Sequence, residues 1–130
     1  EGYFEVAGFS YIMNIQEGAL ALRMFVTATN ALRFQLTSPY QVYTVDNAVT
    51  LNVRHHFALV RVGNTLNFYF NGTLAGTTTV SGSLLNSTFS DWFIGGYKQT
   101  STFDLKVTGF LDNFKLTKKA VYTSNFTPPL

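Results

Sequence analysis

The stretch HHFALVRVGNTLNFYFNGTLAGT, residues 55–77, decides the fold. From His56, the residues Ala58, Val60 and Val62 share one parity, and Phe57, Leu59 and Arg61 share the other. In the next run Leu66, Phe68 and Phe70 alternate with Asn67, Tyr69 and Asn71. A two-residue rhythm rich in aromatic and β-branched residues is that of a pleated strand, whose side chains point to opposite faces in turn. The runs are joined at Gly63-Asn64-Thr65 and at Asn71-Gly72. Asn-Gly takes positive φ at both central turn positions, so it signals a tight hairpin. The stretch therefore predicts three antiparallel strands over 55–62, 65–71 and 73–80. His55 and His56 then face opposite ways and cannot chelate one metal together. Zinc needs three or four protein ligands, and the chain has 2 His and no Cys.

The same rhythm continues outward in both directions. Strands are expected over 2–7, 9–16, 19–28, 31–37, 40–45, 49–53, 91–97 and 107–117. Gly8, Gly18, Asn30, Pro39, Asn47 and Gly82 punctuate them as turn formers. No segment keeps an apolar i, i+3, i+4, i+7 stripe for three turns. Regular short strands with turn signals every 8–12 residues indicate an antiparallel sandwich or barrel. Pro128 and Pro129 cannot continue a central strand, so 126–130 read as an exit linker. The opening residues EGYFEVAGF look like strand interior from the start, which suggests that further polypeptide precedes them.

Composition narrows the function. At 130 residues the chain is one domain or part of one. Hydrophobic residues make up 46% and include 13 Phe and 7 Tyr, ample material for a core. Charged residues are only 12%, against about 25% in an ordinary soluble domain. A surface of Thr, Ser, Asn and Gly suits a secreted, virion or cell-surface β-protein. The formal charge is +2 with no basic stripe, which argues against nucleic acid as a partner. No apolar run reaches the roughly 20 residues of a helical membrane span, so membrane insertion is not expected.

Here the residues become recognisable. The segment 55–77 resembles the central hairpins of laminin-G-like domains in the concanavalin A-like lectin/glucanase superfamily, where a W-H-H-V-A strand leads into an aromatic strand ending in Asn-Gly. Arg54 stands where that pattern has Trp. WFIGGY, 92–97, is similar to the family's x-I-G-G strand, and TGFLDNFKLTKKAVYTSNFTPP, 108–129, is similar to its closing segment. The resemblance implies an all-β jelly-roll sandwich of two antiparallel sheets. It covers residues 1–129 and corresponds to the later two-thirds of a family domain, with the first strands absent from this excerpt. The closing segment is similar to those of bacteriophage tail fibres and virion proteins and of bacterial surface proteins.

Catalysis finds no support in the residues. Glycosidic hydrolysis needs two carboxyl groups flanking the bond, about 5–10 Å apart. Of the 7 acids, none lie two residues apart, and the Glu-x-Asp-x-x-Glu strand of the superfamily's glucanases is missing. No Gly-x-Ser-x-Gly occurs. Recognition is easier: sugars take an aromatic platform plus polar groups for their hydroxyls. Trp92, Tyr97, Asp91 and Tyr40 are the candidate ligand-binding residues; Trp92 and Tyr40 also fit as caps of the core or contacts to a neighbouring subunit. Asp112 reads as a structural carboxylate held by donors such as backbone N–H groups, Lys or Arg, or aimed outward by a bulge, with a ligand-binding or metal role as the alternative. Calcium is common in laminin-G-like domains but wants several oxygens, and only Asp91 with Asp104 suggests itself; no cofactor is expected. The function expected is a non-enzymatic structural or adhesion module of a phage virion appendage or capsid surface, binding host-surface glycan and packing against other virion or fibre subunits as a homo-oligomer. Its place would be the virion surface or the extracellular space. The alternative is a carbohydrate-binding module of a secreted bacterial enzyme or adhesin.

Overall fold

A computed structural model describes residues 1–17, 20–37, 40–46, 48–80, 91–99, 102–104 and 106–129. Its strands are β1 (Gly2–Val6), β2 (Ser10–Glu17), β3 (Leu20–Val26), β4 (Leu32–Thr37), β5 (Tyr40–Val45) and β6 (His55–Val62). They continue with β7 (Thr65–Phe70), β8 (Thr73–Thr79), β9 (Asp91–Ile94), β10 (Tyr97–Gln99), β11 (Thr102–Asp104) and β12 (Gly109–Asp112). Sheet one has the order β12-β1-β6-β7-β8 and sheet two the order β5-β4-β3-β2-β9; β10 and β11 form a separate hairpin. All pairings are antiparallel. With no helix among the described residues, the architecture is the all-β jelly-roll sandwich expected from the alternation.

The two tight hairpins form as their turn residues require. Gly63 has φ +58°, and Asn71 and Gly72 have φ +48° and +79°. One parity of each strand fills the space between the sheets: Phe4, Val6, Phe57, Leu66 and Phe68 from sheet one, against Met24, Val26, Leu32, Phe34 and Leu36 from sheet two. Phe34 and Phe68 stack across the interface, with centroids 5.5 Å apart. Each such side chain contributes about 1.5–3 kcal/mol by leaving water. Tyr43 of β5 reaches across to β8, where its hydroxyl donates to the Thr77 carbonyl. Gly76 permits this approach, because a Cβ there would lie 2.5 Å from the Tyr43 ring. Tyr43 is thus a core cap joining the sheets.

Several strand boundaries differ from those expected. Residues 49–53 form a loop, with Val49 buried and Asn52 at φ +58°. The 91–97 strand breaks at Gly95, φ +82°, into β9 and β10. The 107–117 strand shortens to β12, and its parity is the reverse of the one that would bury Phe110 and Asp112. Leu111 packs on the core, while Phe110 is 72% exposed. Asp112 instead meets Arg54 at 2.6 Å on the surface, and the Arg54 guanidinium lies 3.9 Å over the Tyr3 ring. A pair this exposed is worth at most about 1 kcal/mol.

After β12 the chain forms a strap, residues 113–129, across the outer face of sheet one. Tyr122 and Phe126 stack with centroids 3.5 Å apart and cover Ala58, Val60 and Tyr69. Phe126 N donates to Gly72 O at 2.9 Å, and Asn125 Oδ1 accepts from Leu74 N at 2.9 Å. Phe126, the first residue of the expected linker, is therefore docked on the sheet. The middle of sheet one, at β6 and β7, is therefore covered on both faces. The outward-facing residues of sheet two have no such strap among the described residues.

Candidate functional site

The open face of sheet two carries an aromatic cluster that arises from one irregularity in β2. Counting back by twos from buried Ile15 and Met13 would turn Tyr11 inward. A bulge between Tyr11 and Met13 breaks the count. Ile12 enters the core, and Tyr11 is re-aimed outward beside its cross-strand partner Phe25. The Tyr11 and Phe25 rings stack at 4.9 Å, and Tyr97 stacks on the other side of Tyr11 at 5.0 Å. Gly95 N donates to Ile12 O at 2.9 Å, which ties the turn before Tyr97 to the bulge. Phe9, 39% exposed, abuts Tyr11 edge-on at 5.8 Å.

One cation is held against this row. The Arg23 guanidinium lies 5.0 Å from the Tyr97 centroid, and Arg23 Nε donates to Asn14 Oδ1 at 3.1 Å. Asn14 is 1% exposed, and its Nδ2 has no hydrogen-bond partner among the described residues. Burial pushes the Tyr11 hydroxyl above its ordinary range, and Arg23 only partly opposes this. Tyr11 thus stays a neutral donor and acceptor. Gln35 and Arg33 flank the row, paired with Arg23 and Phe25 in register. A row of stacked aromatic rings, bordered by guanidinium, amide and hydroxyl groups, offers apolar contact and hydrogen bonding side by side, a combination suited to a saccharide with its apolar faces and hydroxyl rims.

Of the residues singled out in the sequence, Tyr97 lies in this cluster. Trp92 lies elsewhere: it pairs with Ile15, whose side chain is in the core, so it projects from the opposite face of β9. There it lines a groove of about 470 Å³ with Leu59, Leu66 and Val121. The side chains of Tyr40, Asp91 and Asp104 lie outside the described residues, as do residues 81–90. Among the described residues no three His, Asp or Glu side chains converge to hold a metal ion. Tyr11, Phe25 and Arg23 were not legible as site residues, because simple alternation assigns Tyr11 to the core.

The histidines divide as their parity requires. His55 packs against Phe4 and Phe70 on the core side, at 5.6 and 5.2 Å, and Asn71 Nδ2 lies 3.1 Å from its Nδ1. His56 faces outward yet is 1% exposed, because Tyr3, Tyr122 and Phe126 enclose its ring.

Comparison with known proteins now bears on this geometry. Residues 5–124 match the laminin G-type model of the concanavalin A-like lectin/glucanases superfamily. The chain belongs to that superfamily. Among solved structures, this lectin-like chain is similar to a native heptameric SAP-like pentraxin from Limulus polyphemus, with TM-score 0.61 and 17% identity over 93% of this chain and 63% of that one. It is also similar to an S-layer domain-containing protein from Clostridium thermocellum, with TM-score 0.49 and 21% identity over 89% and 60% of the two chains. The superfamily member described here thus spans less than two thirds of either protein. No curated protein matches its sequence.

Beneath the strap of this lectin-like domain lies a titratable cluster. Tyr122 donates its hydroxyl to Glu1 Oε2, and His56 Nε2 lies 3.4 Å from the same oxygen. Burial drives the His56 pKa below 6.5, and the Glu1 carboxylate only partly opposes it. Burial pushes the Glu1 carboxyl upward, but the Tyr122 hydrogen bond and then His56 help bring it below its ordinary value of 4.5. Burial and Glu1 push Tyr122 up to about 12. Both shifts that matter in acid have one sign. As pH falls through 6.5 the unfolded chain takes up a proton that folded His56 refuses, and below 4.5 Glu1 adds to the loss. Denaturant midpoints are therefore expected to be lower at pH 5 than at pH 8, with a flatter dependence in His56→Phe. Equal midpoints for the wild type would contradict this account of the cluster.

Proposed function

We propose that this domain is a non-catalytic recognition module that binds glycan on the open face of sheet two, through Tyr11, Phe25 and Tyr97 as platform and Arg23 as polar anchor. The observation that carries this is the continuous Phe25–Tyr11–Tyr97 stack with Arg23 fixed beside it by Asn14. Membership of a lectin-containing superfamily supports the ligand class. Two of the described carboxylates are already engaged away from this face, Glu1 by Tyr122 beneath the strap and Asp112 by Arg54 on sheet one, which supports binding over hydrolysis. The setting we propose is an outer surface, and in particular a bacteriophage virion appendage, where several copies would act together on a host-surface glycan. The low charge content and the tail-fibre-like closing segment 108–129 favour that setting.

The test is a glycan array probed with wild-type and Tyr97→Ala protein, followed by titration of the bound saccharides. Tyr97→Ala and Arg23→Ala are each expected to weaken binding by about tenfold or more, corresponding to roughly 1.4 kcal/mol per tenfold. Trp92→Ala is expected to leave it unchanged. An array on which the wild type is silent, or binding lost only in Trp92→Ala, would refute the assignment.

A further inference from the structure

The aromatic row of sheet two has an arginine at each end. Across this face Tyr11 pairs with Phe25 in register, and Phe25 pairs with Arg33. Cross-strand partners stand about 4.5–5.5 Å apart at Cβ, so Arg33, exposed on β4, flanks the Phe25 end. At the other end the Arg23 guanidinium lies 5.0 Å from the Tyr97 centroid. Between them the rings advance in two steps, 5.0 Å from Tyr97 to Tyr11 and 4.9 Å from Tyr11 to Phe25.

Neither arginine is neutralised there. The other arginines of the chain are engaged within sheet one: Arg54 meets Asp112, and Arg61 Nε donates to Gly63 O at 2.7 Å. Arg23 and Arg33 form no ion pair among the described residues. Of the described acids, Glu1, Glu5 and Asp112 lie at β1 and β12 of the opposite sheet, and Asp46, just past β5, pairs with neither arginine. Arg23 is also fixed in place. Its Nε donates to Asn14 Oδ1, on a side chain that is itself buried, and no described residue accepts from its terminal nitrogens. A guanidinium held before a ligand arrives loses little rotamer freedom on binding. Its planar fork matches the paired oxygens of an oxyanion, and such charge-assisted bonds are roughly twice as strong as those to a neutral hydroxyl.

We propose that the saccharide taken by this face is acidic: an oligosaccharide carrying carboxylate or sulfate groups, with one oxyanion at Arg23, a second at Arg33, and sugar rings against Tyr97, Tyr11 and Phe25 between them. The inference rests on the glycan reading of this face and specifies its ligand class. In this arrangement the aromatic row supplies affinity common to many sugars. The two arginines supply the discrimination, because a neutral chain would leave both cations without an anionic partner. Arg33, which has no contact to hold it in the row other than its register with Phe25, is the residue that selects acidic over neutral chains.

The test is an array of uronic-acid oligosaccharides printed as free acids and as methyl esters, beside sulfated oligosaccharides and their desulfated counterparts. Wild-type protein is expected to bind acidic members about tenfold or more tighter than their neutral counterparts in one or both arms. The arm that shows the preference identifies the oxyanion. The preference should shrink between about 0.1 and 1 M salt, as the Debye length falls from about 10 to 3 Å. Arg33→Gln should cut it by about threefold or more with thermal unfolding unchanged, since Arg33 is exposed. Tyr97→Ala should weaken acidic and neutral members alike. Equal binding of acidic and neutral members, or a preference that survives intact in Arg33→Gln, overturns the inference and leaves the glycan reading standing. An array silent in every member overturns both.

Discussion

Phe68→Ala is expected to remove about 3–5 kcal/mol of stability, a large fraction of the roughly 5–15 kcal/mol that holds a domain of this kind folded. Phe68 is 1% exposed, sits on β7 with β6 and β8 on either side, and stacks on Phe34 across the two sheets. Truncation removes the transfer energy of the ring and leaves a cavity that two hydrogen-bonded sheets cannot collapse to fill. The melting temperature should fall by roughly 10–20 °C. Phe110→Ala is the matched control. Its ring is 72% exposed, so the same chemical change should move stability by no more than about 0.5 kcal/mol. Thermal and denaturant unfolding of both variants checks the pair. Equal losses would mean that the assigned parity of β7 or β12 is wrong.

Gly72→Ala should be of similar size, by a different route. Gly72 occupies φ +79° in the β7–β8 turn, where an L side chain is strained by about 1–2 kcal/mol. A Cβ there would also lie 1.9 Å from Phe126 O, a backbone atom, and 3.0 Å from Pro128 Cδ. Either the turn or the strap must move. Moving the strap breaks the Phe126 N to Gly72 O bond and uncovers Val60 and Tyr69. The expected total is about 3 kcal/mol or more, combining backbone strain with lost aromatic burial. Lys118 and Lys119 make the same event visible to trypsin, since a lifted strap presents them for cleavage. A Gly72→Ala variant with wild-type stability and a protected strap would contradict the docking described here.

These two positions also show which features the sequence could carry. Alternation put Leu66, Phe68 and Phe70 on one face of a strand, and Asn71-Gly72 placed a hairpin, because both follow from local pleat and turn geometry. The opposite fates of His55 and His56 followed from the same parity. What lay beyond reach depends on residues distant in the chain. Nothing local says that Phe126 will return to the turn at Gly72, so Pro128 and Pro129 suggested an exit when the segment begins by docking. The parity of β12 was ambiguous for a similar reason: Phe110, Phe114 and Leu116 outnumber Leu111, yet the strap leaves the strand path after Asp112. At the candidate site, Tyr97 was visible as an aromatic closing a strand. Tyr11 was hidden by the bulge at Ile12, and Arg23 gains meaning only once Asn14 and Tyr97 lie beside it. Trp92 drew attention as the sole tryptophan, but its register with Ile15 turns it away from Tyr97.

The recognition face itself is tested most directly by solution NMR, titrating labelled protein with a saccharide retained on the glycan array. The account predicts saturable shifts at Tyr11, Arg23, Phe25 and Tyr97, with the Trp92 indole and the Leu59 amide unmoved. Shifts centred on Trp92 and Leu59, with the aromatic row silent, would contradict it.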